Sequence, residues 1–241
     1  MTITMNKPLL IVQTGQPPAA IYNEIGQQSD WILAALSLIQ PDFMILRPDL
    51  GEALPPPEAC CGAIITGSWA MVTDAARHTD YTAEWIREVH SHNLPLFGIC
   101  YGHQLIAQAL GGTVDYNPKG PEYGKQLITL CENGNDPLLN SLPHNFFAWL
   151  SHQQSVIKAP EGALILASSE QDKCQIIRYS NTSYSVQFHP EFTGNIMNVC
   201  MMNNHIPTGP DISSTENIWP KLLLNRFYKL FCSADNSQRL Q

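Results

Sequence analysis

Short apolar runs separated by turn residues and by longer, helix-patterned stretches fill the first half of the chain. Leu9–Val12, Phe43–Leu46, Gly62–Thr66 and Leu96–Ile99 are each four or five residues of mostly aliphatic side chains. Runs that short and that continuously apolar predict strands buried on both faces. Between them the spacing turns helical. Residues 30–38 read as a helix capped by Ser29 or Asp30, and residues 79–92 place Tyr81, Trp85, Ile86 and Val89 on one face, with Asn93 as a left-handed stop. Leu105, Ile106, Ala109 and Leu110 form a further stripe that ends at Gly111 and Gly112. Strands alternating with helices predict an α/β fold: a mostly parallel central sheet with helices on both faces.

The second half has a different rhythm. Residues 126–131, 146–150, 164–168, 175–179 and 184–188 look like strands, with no helix-length segment between most of them. These predict an antiparallel extension of the sheet. Helices return at about residues 193–203 and 220–231, where Leu222, Leu223, Phe227 and Leu230 give helical spacing. The methionines at 197, 201 and 202 fit a core or helix-surface role rather than a metal site. No internal repeat or linker divides the sequence, so a single domain over residues 1–241 is expected.

Composition narrows the class. With 44% hydrophobic and 14% charged residues the chain has material for a large core, and a net charge of −8 argues against a nucleic-acid surface. Seven cysteines without a C-x-x-C pair disfavour a disulfide framework or a zinc knuckle. Neither a signal-peptide core nor a membrane-length apolar run is present, so a cytoplasmic protein without membrane contact is expected. No cofactor is called for: phosphate loops of the G-x-x-x-x-G-K-[ST] or S-G-G-x-D-S kind are missing.

The chemistry concentrates in GICYGHQLIAQALGG, residues 98–112. Gly98-Ile-Cys-Tyr-Gly102 has the G-x-nucleophile-x-G form of a strained strand-to-helix turn, in which glycines remove clashes around the nucleophile. Cys100 then lies at a helix N-terminus, beside unpaired N–H groups, and is expected at a surface elbow rather than within the core. A free thiol is only about 3% thiolate at pH 7. The helix dipole contributes just ~0.3–1 kcal/mol, so a histidine partner is required. Of eight histidines, His189 in VQFHPE is the best placed: it leaves an apolar strand, and Glu191, two residues on, can hold the imidazole nitrogen facing away from the thiol. His103 is a rival base, but on the same helix as the cysteine it is expected to point away.

The elbow and the H-P-E sequence together resemble the class I glutamine amidotransferases, the Cys-His-Glu glutaminases, and most of all the amidotransferase portion of GMP synthase and its stand-alone relatives. The similarity runs over roughly residues 60–230. It takes in Ile65-Thr-Gly-Ser68, Gly120-Pro-Glu-Tyr-Gly124 (Pro121 standing where the family has arginine), Trp149-Leu-Ser-His152 and Leu224-Asn-Arg-Phe227. The resemblance implies a flavodoxin-like fold and a triad of Cys100, His189 and Glu191. It also implies oxyanion donors at Tyr101 and in the Gly67-Ser68 loop, and substrate contacts from Gln104, Ser151, His152 and Glu122. The implied substrate is glutamine, with ammonia passed to a synthetase partner in trans. Two alternatives use the same fold: a hydrolase of γ-glutamyl peptides or conjugates, and a catalytically silent binding module. Trp69, where relatives carry proline, leaves the resting shape of the oxyanion loop open.

Overall fold

A computed structural model describes residues 7–74, 76–132, 136–207 and 216–233; residues 1–6 of the N-terminal stretch read for a leader lie outside them. In chain order the elements are β1 (Leu9–Val12), α1 (Ala19–Ile25), α2 (Gln28–Leu36), β2 (Phe43–Leu46), β3 (Gly62–Ile65), α3 (Arg77–Ser91) and β4 (Leu96–Ile99). Then come α4 (Tyr101–Ala109), β5 (Thr113–Tyr116), β6 (Glu122–Leu130), β7 (Asn145–His152), β8 (Gln154–Lys158), β9 (Leu164–Ser168), β10 (Ile176–Arg178) and β11 (Ser183–Val186). Helices α5 (Gly194–Asn203) and α6 (Ile218–Phe227) follow, the latter running into a π-helical turn over Tyr228–Cys232.

Nine strands form one sheet in the order β2-β1-β3-β4-β11-β10-β9-β6-β7. From β2 to β11 the neighbours run parallel, and from β11 to β7 they run antiparallel. This is the α/β architecture with an antiparallel extension that the sequence pattern predicts. Strands β5 and β8 make a separate two-stranded ribbon.

Strands β1, β3 and β4 carry no polar side chain because both of their faces are covered, and the period of two sorts their side chains between two cores. Leu9, Ile11, Ile64 and Phe97 pack on one side with Ile32 of α2 and Leu223, Leu224 and Phe227 of α6. Leu10, Val12, Ala63, Ile65 and Leu96 face the other way, against Trp85, Ile86 and Val89 of α3 and Leu105 and Ile106 of α4. A third, smaller cluster joins Ile21 and Trp31 to Trp149, Phe192 and Met197.

Several local expectations are corrected. Helix α2 starts at Gln28, and its N-cap is Gln27 rather than Ser29 or Asp30. Asp30 instead accepts the Gln27 N–H at 3.2 Å, as the third residue of a capping box. Helix α1, only seven residues long, is too short to show a period. Tyr81 leaves the buried face of α3: it is 40% exposed, and its hydroxyl accepts the Leu54 N–H at 2.8 Å. β6 begins at Glu122 rather than residue 126, because eight residues pair with β7 regardless of their mixed polarity. Asn93 does take the left-handed conformation, at φ 56°.

Phe227 is fully buried and its ring centroid lies 4.9 Å from that of Phe97. Phe227→Ala is therefore expected to lower unfolding free energy by about 3–5 kcal/mol. The control Ile39→Ala, at a 72% exposed site, should change it by no more than about 0.5 kcal/mol. Urea titration of both variants checks the docking of α6.

Candidate active site

Two neighbouring parallel strands deliver the central pair. β4 and β11 run side by side with Ile99 opposite Val186, so both chains leave the sheet at the same carboxyl edge. The next residue along β4 is Cys100, whose N–H donates to the Val186 carbonyl at 2.9 Å. Three residues past Val186 comes His189. Residues 89 positions apart in sequence meet because the sheet order makes them neighbours.

The elbow has the local geometry that its glycines imply. Cys100 sits at φ 51°, ψ −101°, in the left-handed half of backbone space that non-glycine residues rarely occupy. A Cβ on Gly98 would lie 2.6 Å from the Gly102 carbonyl oxygen, and one on Gly102 would collide with the Ile65 carbonyl. The turn is this sharp only because both side chains are missing. One expectation fails: Cys100 is not on the surface but 6% exposed, at the floor of a pocket and part of the core beneath β4. Its sulfur lies 3.8 Å from the Ser151 carbonyl oxygen on the opposite wall.

His189 is held from every side. Its Nδ1 hydrogen-bonds Glu191 Oε1 at 2.8 Å. Its ring stacks on Phe192, with centroids 4.0 Å apart, and its backbone N–H donates to the Trp149 carbonyl at 2.8 Å. Asn217 Nδ2 donates to the His189 carbonyl at 2.7 Å and to the Phe192 carbonyl at 3.3 Å, clamping the loop. Burial pushes the imidazole pKa down, the largest single effect. The negative charges of Glu191 and Cys100, with hydrogen bonds to both, together outweigh it and raise the pKa to about 10. The imidazolium form is thus favoured between the two partners.

His103 points elsewhere. Its Nδ1 lies 2.7 Å from Ser185 Oγ, and burial together with the nearby His152 lowers its pKa to about 3. Most of the other buried thiols are held protonated: burial raises Cys60 to about 11 and Cys174 and Cys200 to about 12. Cys61 is lowered by a hydrogen bond from Cys232, but it precedes β3 at the far end of that strand from Gly67.

Opposite the elbow, Gly67 makes room for the pair: a Cβ there would lie 3.1 Å from His189 Cε1 and 3.7 Å from Cys100 Cβ. The Gly67 carbonyl accepts from Thr66 Oγ1 at 2.8 Å, Thr14 Oγ1 at 3.3 Å and Gln28 Nε2 at 3.4 Å. In a trans peptide the C=O and N–H point in opposite directions, so these donors also fix where the Ser68 N–H points. Trp69 packs edge-on to Trp31 at 6.4 Å, and Trp31 edge-on to Phe192 at 5.5 Å, giving the pocket an aromatic wall.

Gln104, Tyr101, Ser68, Ser151 and His152 all line this pocket with Cys100 and His189. Glu122 does not; it lies behind His152, bonded to its Nε2 at 3.0 Å. No lysine, arginine, aspartate or glutamate is among the lining residues, which suits a substrate whose reacting group is neutral. Asn217, Thr14 and Gln28 carry no recognisable sequence signal, since each acts through contacts to the backbone of residues distant in sequence. Phe192, directly after H-P-E, offered one.

Comparison with known proteins adds the relationship. The family model described as "Glutamine amidotransferase class-I" matches residues 52–207. A glutamine-hydrolyzing GMP synthase from Thermosipho africanus is 37% identical over 131 residues, covering 54% of this chain and 24% of that protein. A chain named as one subunit of the glutamine-hydrolyzing GMP synthase of Sulfolobus acidocaldarius is 45% identical over 104 residues, 43% of this chain and 54% of that one. The matched segments thus span from about a quarter to about half of these relatives' length. Among solved structures, a glutamine amidotransferase from Methylobacillus flagellatus superposes with a TM-score of 0.75 at 21% identity, over 93% of this chain and 95% of that one. That likeness bears on the fold.

The raised pKa of His189 gives a signed expectation. A histidine raised above its ordinary 6.5 contributes stability that is complete below that pH and is lost as pH climbs towards 10. By NMR titration of ring-labelled histidine, His189 should stay protonated through neutral pH and release its proton near 10. In Glu191→Gln the midpoint should fall. An ordinary midpoint in the wild type contradicts the electrostatic account.

Proposed function

The chain belongs to the class I glutamine amidotransferase family, and on that premise we propose that it hydrolyses the side-chain amide of glutamine through a thioester on Cys100. The observation that carries this reading is the placement of His189 between Glu191 and Cys100 in a pocket lined by no lysine, arginine, aspartate or glutamate. In the proposed reaction the Cys100 sulfur attacks the amide carbon, and the oxygen that gains charge is received by the backbone N–H groups of Ser68 and Tyr101. One such donor contributes ~3 kcal/mol to lowering the barrier. His189 gives its proton to the departing nitrogen, releasing ammonia, and then takes a proton from the water that cleaves the thioester. Glutamate leaves and the thiol is restored. Glu191 fixes the tautomer and steadies the imidazolium throughout. Gln104, Ser151 and His152 form the wall towards the α-carbon groups of the substrate.

The names of the curated relatives extend the proposal: the ammonia passes to an acceptor bound by a synthetase partner in trans. A single glutaminase domain, built on the one nine-stranded sheet, is the unit proposed. No helix among the described residues is long and apolar enough to cross a membrane. Seven free cysteines support a reducing compartment such as the cytoplasm.

The test compares ammonia release from glutamine with amine release from a γ-glutamyl peptide. Glutamine should be the better substrate in kcat/KM by at least about 10-fold; a preference for the peptide contradicts the amidase reading. Cys100→Ser should lower kcat by about 10³-fold or more while thermal unfolding stays within a few degrees. Retained turnover in that variant removes the assigned nucleophile.

A further inference from the structure

From His152 in the pocket wall a buried polar cluster runs inward to Glu122 and Asp172, which do not line the pocket. The possible ligand atoms of Glu122, His152 and Asp172 all fall within 4.8 Å of one another, and all three residues are buried. A divalent cation is one way to satisfy such a group, but the hydrogen bonds favour a different account. His152 uses both ring nitrogens: Nδ1 lies 2.9 Å from the Gln154 carbonyl and Nε2 lies 3.0 Å from Glu122 Oε2. A carbonyl only accepts, so Nδ1 carries a proton. The contact between Nε2 and the carboxylate is itself a hydrogen bond, and a cation would have to break it. Glu122 is fixed in turn by Ser169 Oγ at 2.7 Å and Gln175 Nε2 at 3.2 Å.

The consequence appears on the other side of the Gln154 carbonyl. Besides the His152 proton, that oxygen accepts from Gln104 Nε2 at 2.6 Å, and the same nitrogen donates to Gln187 Oε1 at 3.0 Å. The Gln104 amide nitrogen is therefore committed to the protein, and its oxygen is the atom left for the pocket that Gln104 lines. An amide is nearly symmetric in shape and can bind either way round. Here the orientation is dictated by an acceptor that His152 holds in place.

We propose that Glu122, His152 and the Gln154 carbonyl form a buried bracket that orients the Gln104 carboxamide, so that its oxygen accepts from the ammonium of an α-amino acid substrate. Glu122 and His152 are then positioning residues: they set substrate affinity through Gln104 and take no part in bond breaking. The kinetic half of this rests on the glutaminase reading given above; the orientation of Gln104 does not.

Three variants test it in the full-length protein. His152→Ala removes the donor to Gln154, and KM for glutamine should rise about 10-fold with kcat held within about 3-fold. His152→Asn restores an amide N–H near the position of Nδ1 and should bring KM back to within about 3-fold of wild type. Glu122→Gln keeps a hydrogen-bonding partner for Nε2 without the charge and should fall between them. A merely structural role would lower both kinetic constants and thermal stability in His152→Ala, with no selective recovery in His152→Asn; that outcome overturns the proposal. So does purified protein that carries a stoichiometric transition metal removable by chelators. The orientation is read separately from the Gln104 side-chain amide protons by ¹⁵N NMR. They should be protected from exchange in wild type and His152→Asn, and fast in His152→Ala. If wild-type protein releases no ammonia from glutamine but this protection pattern holds, the glutaminase reading fails and the bracket stands. Unprotected amide protons in wild type sink the bracket whatever the activity.

Discussion

The site depends on the parallel pairing of β4 with β11 in one register. Ile99 opposite Val186 puts the next residue of each chain beyond the same sheet edge, and the Cys100 N–H closes the junction on the Val186 carbonyl at 2.9 Å. A slip of one residue would turn every β11 side chain to the other face of the sheet and take His189 with it. That register is well specified, because β11 is buried along its whole length, with Tyr184 and Val186 in an apolar core on one face and Ser183 and Ser185 hydrogen-bonded to His90 and His103 on the other.

Around this junction, most of the precision comes from backbone contacts rather than from paired charges. The elbow is sharp because Gly98 and Gly102 remove the atoms that would block it. The histidine loop is fixed by the Trp149 carbonyl, the Asn217 amide and the face of Phe192. The facing loop is fixed at the Gly67 carbonyl by Thr14, Thr66 and Gln28. Glu191 is the one carboxylate placed against His189, acting alongside the Cys100 sulfur, and its effect there is large because water is excluded. A rigid frame of neutral dipoles around a single charged pair suits chemistry in which charge appears only transiently.

Much of this was legible in the chain because the parts that carry chemistry also carry unusual local constraints. An elbow with two obligatory glycines and an H-P-E sequence at a strand exit are rare, and each fixes its own backbone. Strands β1, β3 and β4 were equally plain, since burial on both faces leaves them without polar side chains. What escaped were features set by tertiary contact alone. Tyr81 has the spacing of a core residue but turns outward to meet the Leu54 N–H. Glu122 stands in a substrate-like motif yet lies one layer behind His152. Cys100, expected at a surface turn, is buried because α4 and the β7–β8 corner close over it. Asn217 lies 28 residues beyond the histidine it clamps, and an asparagine before a helix gives no hint of such a partner.

The central claim is that Cys100 forms a covalent bond to the substrate acyl group with His189 as its acid and base. Acid-quenching the protein during turnover of glutamine, digesting it and mapping adducts by mass spectrometry tests this most directly. The account predicts a γ-glutamyl thioester on the peptide holding Cys100 and on no other cysteine, and none in His189→Gln, where the departing nitrogen has lost its proton donor. Steady ammonia release with no adduct at Cys100, or an adduct on a different residue, would contradict it.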